Sequence, residues 1–273
     1  MRGRGQRCDG GRRGGRQARL REARQLRAPR PRRLVRGGGG FSHRNQDDPI
    51  VFPRRRGRSH DHTYFGNRST NAFSTPASLR NAGRTTCNLG EDTAAYWAPT
   101  LFLGGRPVEP RGAVVFYVRR TFDDVDPFPA GLKMIAGNAI ARSPQSLRVT
   151  SWMCGYGRER SSTVPTCLGG RYSDLRLRVR FPDCWDGDRL DSADHKRHMA
   201  YSTAGRCPGS HPVEVPAITL VIYYGVAGGR DAELSSGGQF SAHADFVNAW
   251  DQRALAALVD RYLNGFGYRG RHG

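Results

Sequence analysis

Lysine is nearly missing from this 273-residue chain: Lys133 and Lys196 stand beside forty-two arginines. A skew of that kind reflects the base composition of the coding DNA more than phosphate recognition. Acidic residues are also scarce, 24 against 44 basic ones, for a formal charge of +20. Fourteen arginines against Asp9 and Glu22 in residues 1–40 account for +12 of it, leaving about +8 over the other 233 residues. The basicity therefore belongs mostly to one end, and a uniformly polycationic surface is excluded. No run approaches the roughly 18 apolar residues of a membrane span; the longest, Ala217 to Ala227, has the length of a strand. No apolar core of roughly 7–15 residues follows the first arginines, so no signal peptide is visible. No two cysteines form a CxxC pair, which argues against a zinc site of the usual spacing. No internal repeat is found.

Residues 1–40 hold almost no large apolar side chains and end in four glycines. Such a segment cannot bury enough surface to offset its chain entropy, so a disordered tail is expected over 1–46. Its run Gly10-Gly11-Arg12-Arg13-Gly14-Gly15-Arg16 has the composition of RNA-binding arginine–glycine segments. The alternative is an extension with no selected role. Nucleic acid is expected as a partner only through this tail, if at all.

From Asp48 onward the composition is globular, and a single domain is expected over 47–264, with 265–273 as a second tail. Short strand-like runs alternate with Gly, Pro, Asn and Asp: 113–118, 147–152 and 175–181 are examples. The last alternates apolar residues with arginine, as a strand with one solvated face would. Ile218 to Tyr224 is continuously apolar and reads as a core strand. One helix is expected near the end, capped by Asp251 and stopped by Gly265, with Leu255, Leu258, Val259 and Tyr262 on one face. These elements define an all-β or β-rich fold, sandwich- or jelly-roll-like, with long loops and a C-terminal helix.

Cys8 lies in the tail. Spacings of 13 and 23 residues suggest the bridges Cys154–Cys167 and Cys184–Cys207, each contributing roughly 3 kcal/mol through loop closure. Cys87 is then left over. Disulfides favour an exported protein.

Three stretches concentrate ionisable side chains. In Ser59-His60-Asp61-His62-Thr63-Tyr64, a strand would point His60, His62 and Tyr64 to one face, a familiar way to offer two imidazoles to a metal ion. The segment from Asp183 to Tyr201 contains Asp183, Asp186, Asp194, His195 and His198; the two histidines would share a face in a helical turn. His211 follows, and His243 and Asp245 are later candidates. The catalytic candidates are His62, His195, His198, His211, Asp183 and Asp194. A divalent metal ion would be held by His60, His62, His195 and His198, and the same residue types equally suit a general acid–base pair. Against this, Asp and His in Gly- and Pro-rich loops commonly satisfy backbone donors instead. Trp97, Trp152 and Trp185 fit a core better than a sugar platform.

Several ordered motifs are recognisable: 48–67, Thr85-Thr86-Cys87 with Tyr96-Trp97-Ala98-Pro99, 128–137, 181–187, Asp194-His195 with His198-Met199-Ala200-Tyr201, and Cys207-Pro208 with His211-Pro212-Val213. Together they resemble the domain-of-unknown-function family nineteen ninety-six over about residues 47–264. That resemblance implies an exported, extracellular protein of the kind found in filamentous fungi and actinobacteria, associated with cell-wall or extracellular polysaccharide. It transfers no catalytic assignment. Matching polar positions are Asp48, His60, His62, Asn67, Asp183, Asp186, Asp194, His195, His198 and His211. Two departures stand out: an arginine-rich segment where relatives carry a signal peptide, and no cysteine near Tyr262, which would leave Cys87 without a partner.

Two functions follow as expectations. One is an enzyme acting on cell-wall or extracellular polysaccharide through the His/Asp cluster. The other is a non-catalytic carbohydrate-binding or structural module in which Tyr64, Trp97, Trp185 or Tyr201 stacks on sugars.

Overall fold

The structure, a computed structural model, describes residues 32–155, 157–168 and 174–265. Cys8, the run at 10–16 and the rest of the arginine-rich segment up to residue 31 lie outside the described residues, as does the second expected tail beyond Gly265. In chain order the strands are β1 (Arg32–Gly39), β2 (Phe41–Asn45), β3 (His62–Gly66), β4 (Ala95–Pro99), β5 (Leu101–Leu103), β6 (Arg106–Pro107), β7 (Gly112–Arg119), β8 (Lys133–Gly137), β9 (Thr150–Cys154), β10 (Leu175–Arg180), β11 (Cys184–Trp185), β12 (Met199–Ala200), β13 (Val213–Glu214), β14 (Ala217–Tyr223), β15 (Ala232–Leu234) and β16 (His243–Val247). Two helices are described, α1 (Pro76–Ala82) and α2 (Gln252–Val259).

Two five-stranded antiparallel sheets dominate, in the orders β1-β7-β14-β10-β9 and β2-β3-β4-β16-β8. Side-chain alternation decides what goes between them. From the second sheet come Phe65, Tyr96, Ala98, Met134, Ala136, Ala244 and Phe246; from the first come Val115, Tyr117, Trp152, Leu177, Val179, Leu220 and Ile222. All are buried in one cluster, each large apolar side chain contributing roughly 1.5–3 kcal/mol. The molecule is thus a β-rich sandwich, as its punctuated strand pattern implies.

The same alternation sends His62, Tyr64, Trp97, His243, Asp245 and Ile135 to the outer face of the second sheet. That face is not solvated. Ile50 from the loop after β2 and Leu79 from α1 pack on Tyr64 and Trp97 in a second, smaller cluster. A roofed sheet face of this kind is where polar side chains can be both buried and close together.

Bonds between Cys154 and Cys167 and between Cys184 and Cys207, with Cα atoms 5.3 and 5.6 Å apart, pin the loops after β9 and β12. Cys87 is a half-buried free thiol whose pKa is raised, chiefly by burial.

The structure differs from the sequence expectations at four places. Strands begin at Arg32 instead of after residue 46, because a ladder needs only backbone: Gly37, Gly38 and Gly39 pair with Val115, Val114 and Ala113. The arginines of β10 are not on a solvated face; Arg176, Arg178 and Arg180 are only 5%, 7% and 9% exposed. Helix α1 joins the expected one, and its signals were present in Thr75, whose hydroxyl accepts from Ser78, in Pro76 and in Gly83 at φ 61°. Finally, α2 runs on into a π-helical turn, Asp260–Asn264. Across the wider turn Leu263 joins Leu255 in the buried core, while Tyr262 is off the buried face at 37% exposure.

Candidate functional site

Strand β3 begins at His62, and β16 begins at His243. Trp97 of β4 lies between them in the ladder, paired with Tyr64 on one side and Asp245 on the other. His62 donates from Nδ1 to the carbonyl of Asp47 at 3.0 Å. His243 donates from Nδ1 to the carbonyl of Ser241 at 2.9 Å. A carbonyl only accepts, so in each ring the proton sits on Nδ1 and the lone pair on Nε2. Nε2 of His62 is buried and has no hydrogen-bond partner among the described residues. His60, half-buried at the mouth, brings its Nε2 within 3.2 Å of Nε2 of His243. One ring nitrogen from each of His60, His62 and His243 lies within 4.8 Å of the other two.

Burial depresses all three imidazoles. His60 is pushed down to about 4 and His243 to about 3, while His62 falls well below its ordinary value, first by burial and then by its two histidine neighbours. At neutral pH the cluster is therefore three uncharged nitrogen donors. Metal–nitrogen bonds of ~2.0–2.1 Å in a tetrahedron set ligand nitrogens about 3.3–3.4 Å apart, close to the 3.2 Å between His60 and His243. The orphaned Nε2 of His62 and the two carbonyl-oriented rings fit a borderline metal ion such as zinc, copper or iron.

Two residues beyond His243 on the same face, Asp245 is 1% exposed; its Oδ2 lies 3.8 Å from Nε2 of His243 and that oxygen has no hydrogen-bond partner among the described residues. Burial, then the negative charge of Asp48, holds its pKa well above the usual carboxylate range, although Lys196 pulls the other way. Burial also raises Asp48, whose Oδ1 accepts from the amides of Ile50 and Val51 at 2.8 and 3.0 Å. Lys133 and His195, both bonded to Asp191 at 3.1 and 2.9 Å, act on Asp48 from the other side. Lys196 donates to the carbonyl of Gly137, the residue paired with His243, at 2.6 Å.

The expected metal quartet is thus split. His60 and His62 meet His243, whereas His195 and His198 lie in a separate turn, His195 bonded through Nδ1 and His198 through both ring nitrogens. His195 Nδ1 is on Asp191, and His198 binds Ser192 Oγ at 3.0 Å and the Lys133 carbonyl at 2.7 Å. His211 donates to the carbonyl of Arg197 at 2.8 Å. Asp183 is fully buried and takes Arg180 Nη2 at 3.0 Å and Ser202 N at 2.9 Å. Asp194 caps the amides of Arg197 and Lys196 and accepts from Ser192 Oγ; the Arg197 amide, first of all, holds its pKa down. Asp186 does the same for Asp188 and Arg189, and Asn67 ties Leu79 to Thr93. Tyr64 and Trp97, with no exposed surface, cannot stack on a sugar.

His243 and Asp245 rank behind the other candidates in the sequence because they stand apart from any dense motif. Their signal is the alternation in His243-Ala244-Asp245-Phe246, which puts the two polar residues on one face of a strand.

The fold and this face define a β-sandwich protein with a buried three-imidazole cluster backed by a buried aspartate whose pKa is raised. The family model described as Domain of unknown function (DUF1996) matches residues 48–250, and the chain belongs to that family. Neither the curated proteins nor the solved structures returned a match.

Proposed function

We propose that this protein is a metal-dependent hydrolase acting on cell-wall or extracellular polysaccharide, with the ion held by His60, His62 and His243. The observation that carries this reading is the orientation of His62 and His243. Each spends Nδ1 on a backbone carbonyl and turns the lone pair of Nε2 towards His60; that of His62 has no partner among the described residues, and that of His243 accepts from His60 Nε2 at 3.2 Å, a proton an ion would displace. Three protein donors leave a coordination position open for water or substrate.

The bound ion would lower the pKa of its water enough to supply a nucleophile at neutral pH. The chain does the rest. Asp245, 3.8 Å from His243 and with its pKa raised chiefly by burial, would be the general acid that gives a proton to the leaving oxygen. Lys196 and the Lys133–Asp191–His195 group flank this carboxyl and Asp48, and fix the charge that a substrate oxygen meets. A cavity of about 260 Å³ is lined by Ile135 and Gly137, the β8 partners of Asp245 and His243, with Asn138, Gln145, Lys196 and Tyr201; the three histidines themselves do not line it. That volume is below the ~300–1,000 Å³ of pockets that engulf a drug-sized ligand. It suits one substituent or terminal unit of a polymer whose remainder stays outside.

An extracellular setting is supported by the two disulfides. Among the described residues no helix is long and apolar enough to cross a membrane.

Metal content of the oxidised protein, purified without chelator, tests the reading together with hydrolysis of a panel of acylated and unmodified wall polysaccharides. Near-stoichiometric metal, and hydrolysis abolished by chelation and restored by one divalent ion, are expected. Protein that neither retains nor takes up zinc, copper or iron at micromolar concentration would remove it.

A further inference from the structure

The outer face of the first sheet carries an unusual collection of donors. Leu177 and Val179 of β10 point into the core, so Arg178 and Arg180 point away from it, yet they are 7% and 9% exposed. Among the described residues Asp183 is the one carboxylate bonded to either, through Arg180 at 3.0 Å. Among the described residues Arg178 donates to the carbonyl of Arg148, at 3.4 Å. In the ladder Ser151 stands beside Arg178 and Thr219 beside Arg180. Both hydroxyls are buried without a hydrogen-bond partner among the described residues, as are Nε of Arg180 and Nε of Arg120. Arg120 and the exposed Arg160 are near enough for their charges to act on Arg178. Burial, then the charges of Arg160, Arg120 and Arg180, push Arg178 down to about 10. Burial and Arg180 likewise lower Arg120.

Like charges and orphaned hydroxyls gathered under cover destabilise a fold unless something satisfies them. The missing partner must accept many hydrogen bonds and carry negative charge, which is the chemistry of a tetrahedral oxyanion. We propose that Arg120, Arg160, Arg178 and Arg180, with the hydroxyls of Ser151 and Thr219, form a binding site for a phosphate or sulfate group. The group is either a free ion or an ester carried by an extracellular glycan. This site is on the other sheet from the histidines and shares no residue with them; Tyr201, whose ring lies 5.2 Å from the Arg180 guanidinium, also lines the cavity described above.

Calorimetric titration and thermal melts of the full chain, disulfides oxidised, in inorganic phosphate and in chloride of equal ionic strength, test it. Phosphate is expected to raise the Tm saturably above the chloride control. Arg178→Gln is expected to weaken phosphate binding about tenfold or more, while its Tm in chloride is unchanged or higher because a repulsion is gone. Thr219→Val, isosteric and uncharged, weakens binding in the same direction and decides the matter should Arg178→Gln fail to fold. A sulfated glycan and its desulfated form make the second arm. Tighter binding of the sulfated polymer than of free phosphate, lost in Arg178→Gln, assigns the ester; sensitivity for the free ion alone assigns the ion. The arginine-rich residues 1–40 are common to all the proteins compared, so their contribution cancels. No phosphate effect beyond chloride, or variants that bind as the parent does, would overturn the site.

Discussion

Replacing His243 and His198 in turn separates a metal ligand from a structural histidine. Both are buried, at 3% and 0% exposure. His243→Ala removes one of three converging nitrogens. Groups that merely orient a ligand cost roughly 10–100-fold in metal affinity when lost, so loss of a ligand itself should weaken zinc or cobalt binding by at least ~100-fold. His198→Ala removes a ring bonded to Ser192 Oγ and to the carbonyl of Lys133. It leaves buried polar groups unpaired at roughly 1–3 kcal/mol each, in addition to a cavity. Its effect should be a Tm lowered by several degrees with metal affinity within about threefold of the parent. Competition with a chromophoric chelator gives the affinities. Visible absorption of cobalt-loaded protein reports the ligand set, and denaturant titration gives the stabilities. If His198→Ala abolishes binding while His243→Ala retains it, the three-histidine centre is wrong.

Other consequences are as definite. Asp245→Asn keeps shape and removes a carboxyl whose charged form burial disfavours, so it should cost little stability; hydrolysis should nevertheless fall by about 10²–10⁴, the usual contribution of a positioned acid. Asp92, whose pKa burial pushes up to about 7, is stabilising in its protonated form, so its contribution is present at low pH and lost as pH rises from about 4 through 7. Asp92→Asn should therefore remove about 2–3 kcal/mol of the parent's loss of stability between pH 5 and pH 8, measured by denaturant titration at each pH, and an unchanged slope refutes the assignment. Opening the Cys184–Cys207 bridge with a double serine variant should cost about 3 kcal/mol, read from the same titrations.

Local rules account for much of the fold. The alternation in Leu175 to Phe181 put Leu177 and Val179 inside, the apolar run at Ile218 to Tyr224 is the centre of a sheet, and Asp251 caps α2 through Ala254 N. What periodicity cannot tell is which strand lies beside which. It gives β3 and β16 each an inner and an outer face, but not that only β4 separates them, and the histidine cluster depends on that adjacency. Residue density misled for a physical reason: between Asp183 and His211 the Asp and His side chains serve neighbouring backbone, which is why turns collect them. The buried β10 arginines are the reverse case, since alternation marks a second face without saying whether water reaches it.

The peptide carbonyl of Asp47 accepts from both Nδ1 of His62 and the hydroxyl of Tyr64. The carboxylate of the same residue holds the amides of Gly57 and Ala72 at 2.9 and 3.0 Å. The aim of one imidazole is thus governed by an atom that no substitution can delete. Drift in sequence around residues 54–57 or 69–74 can still turn that ring by a few degrees, retuning which ion the pocket prefers while every coordinating side chain stays the same.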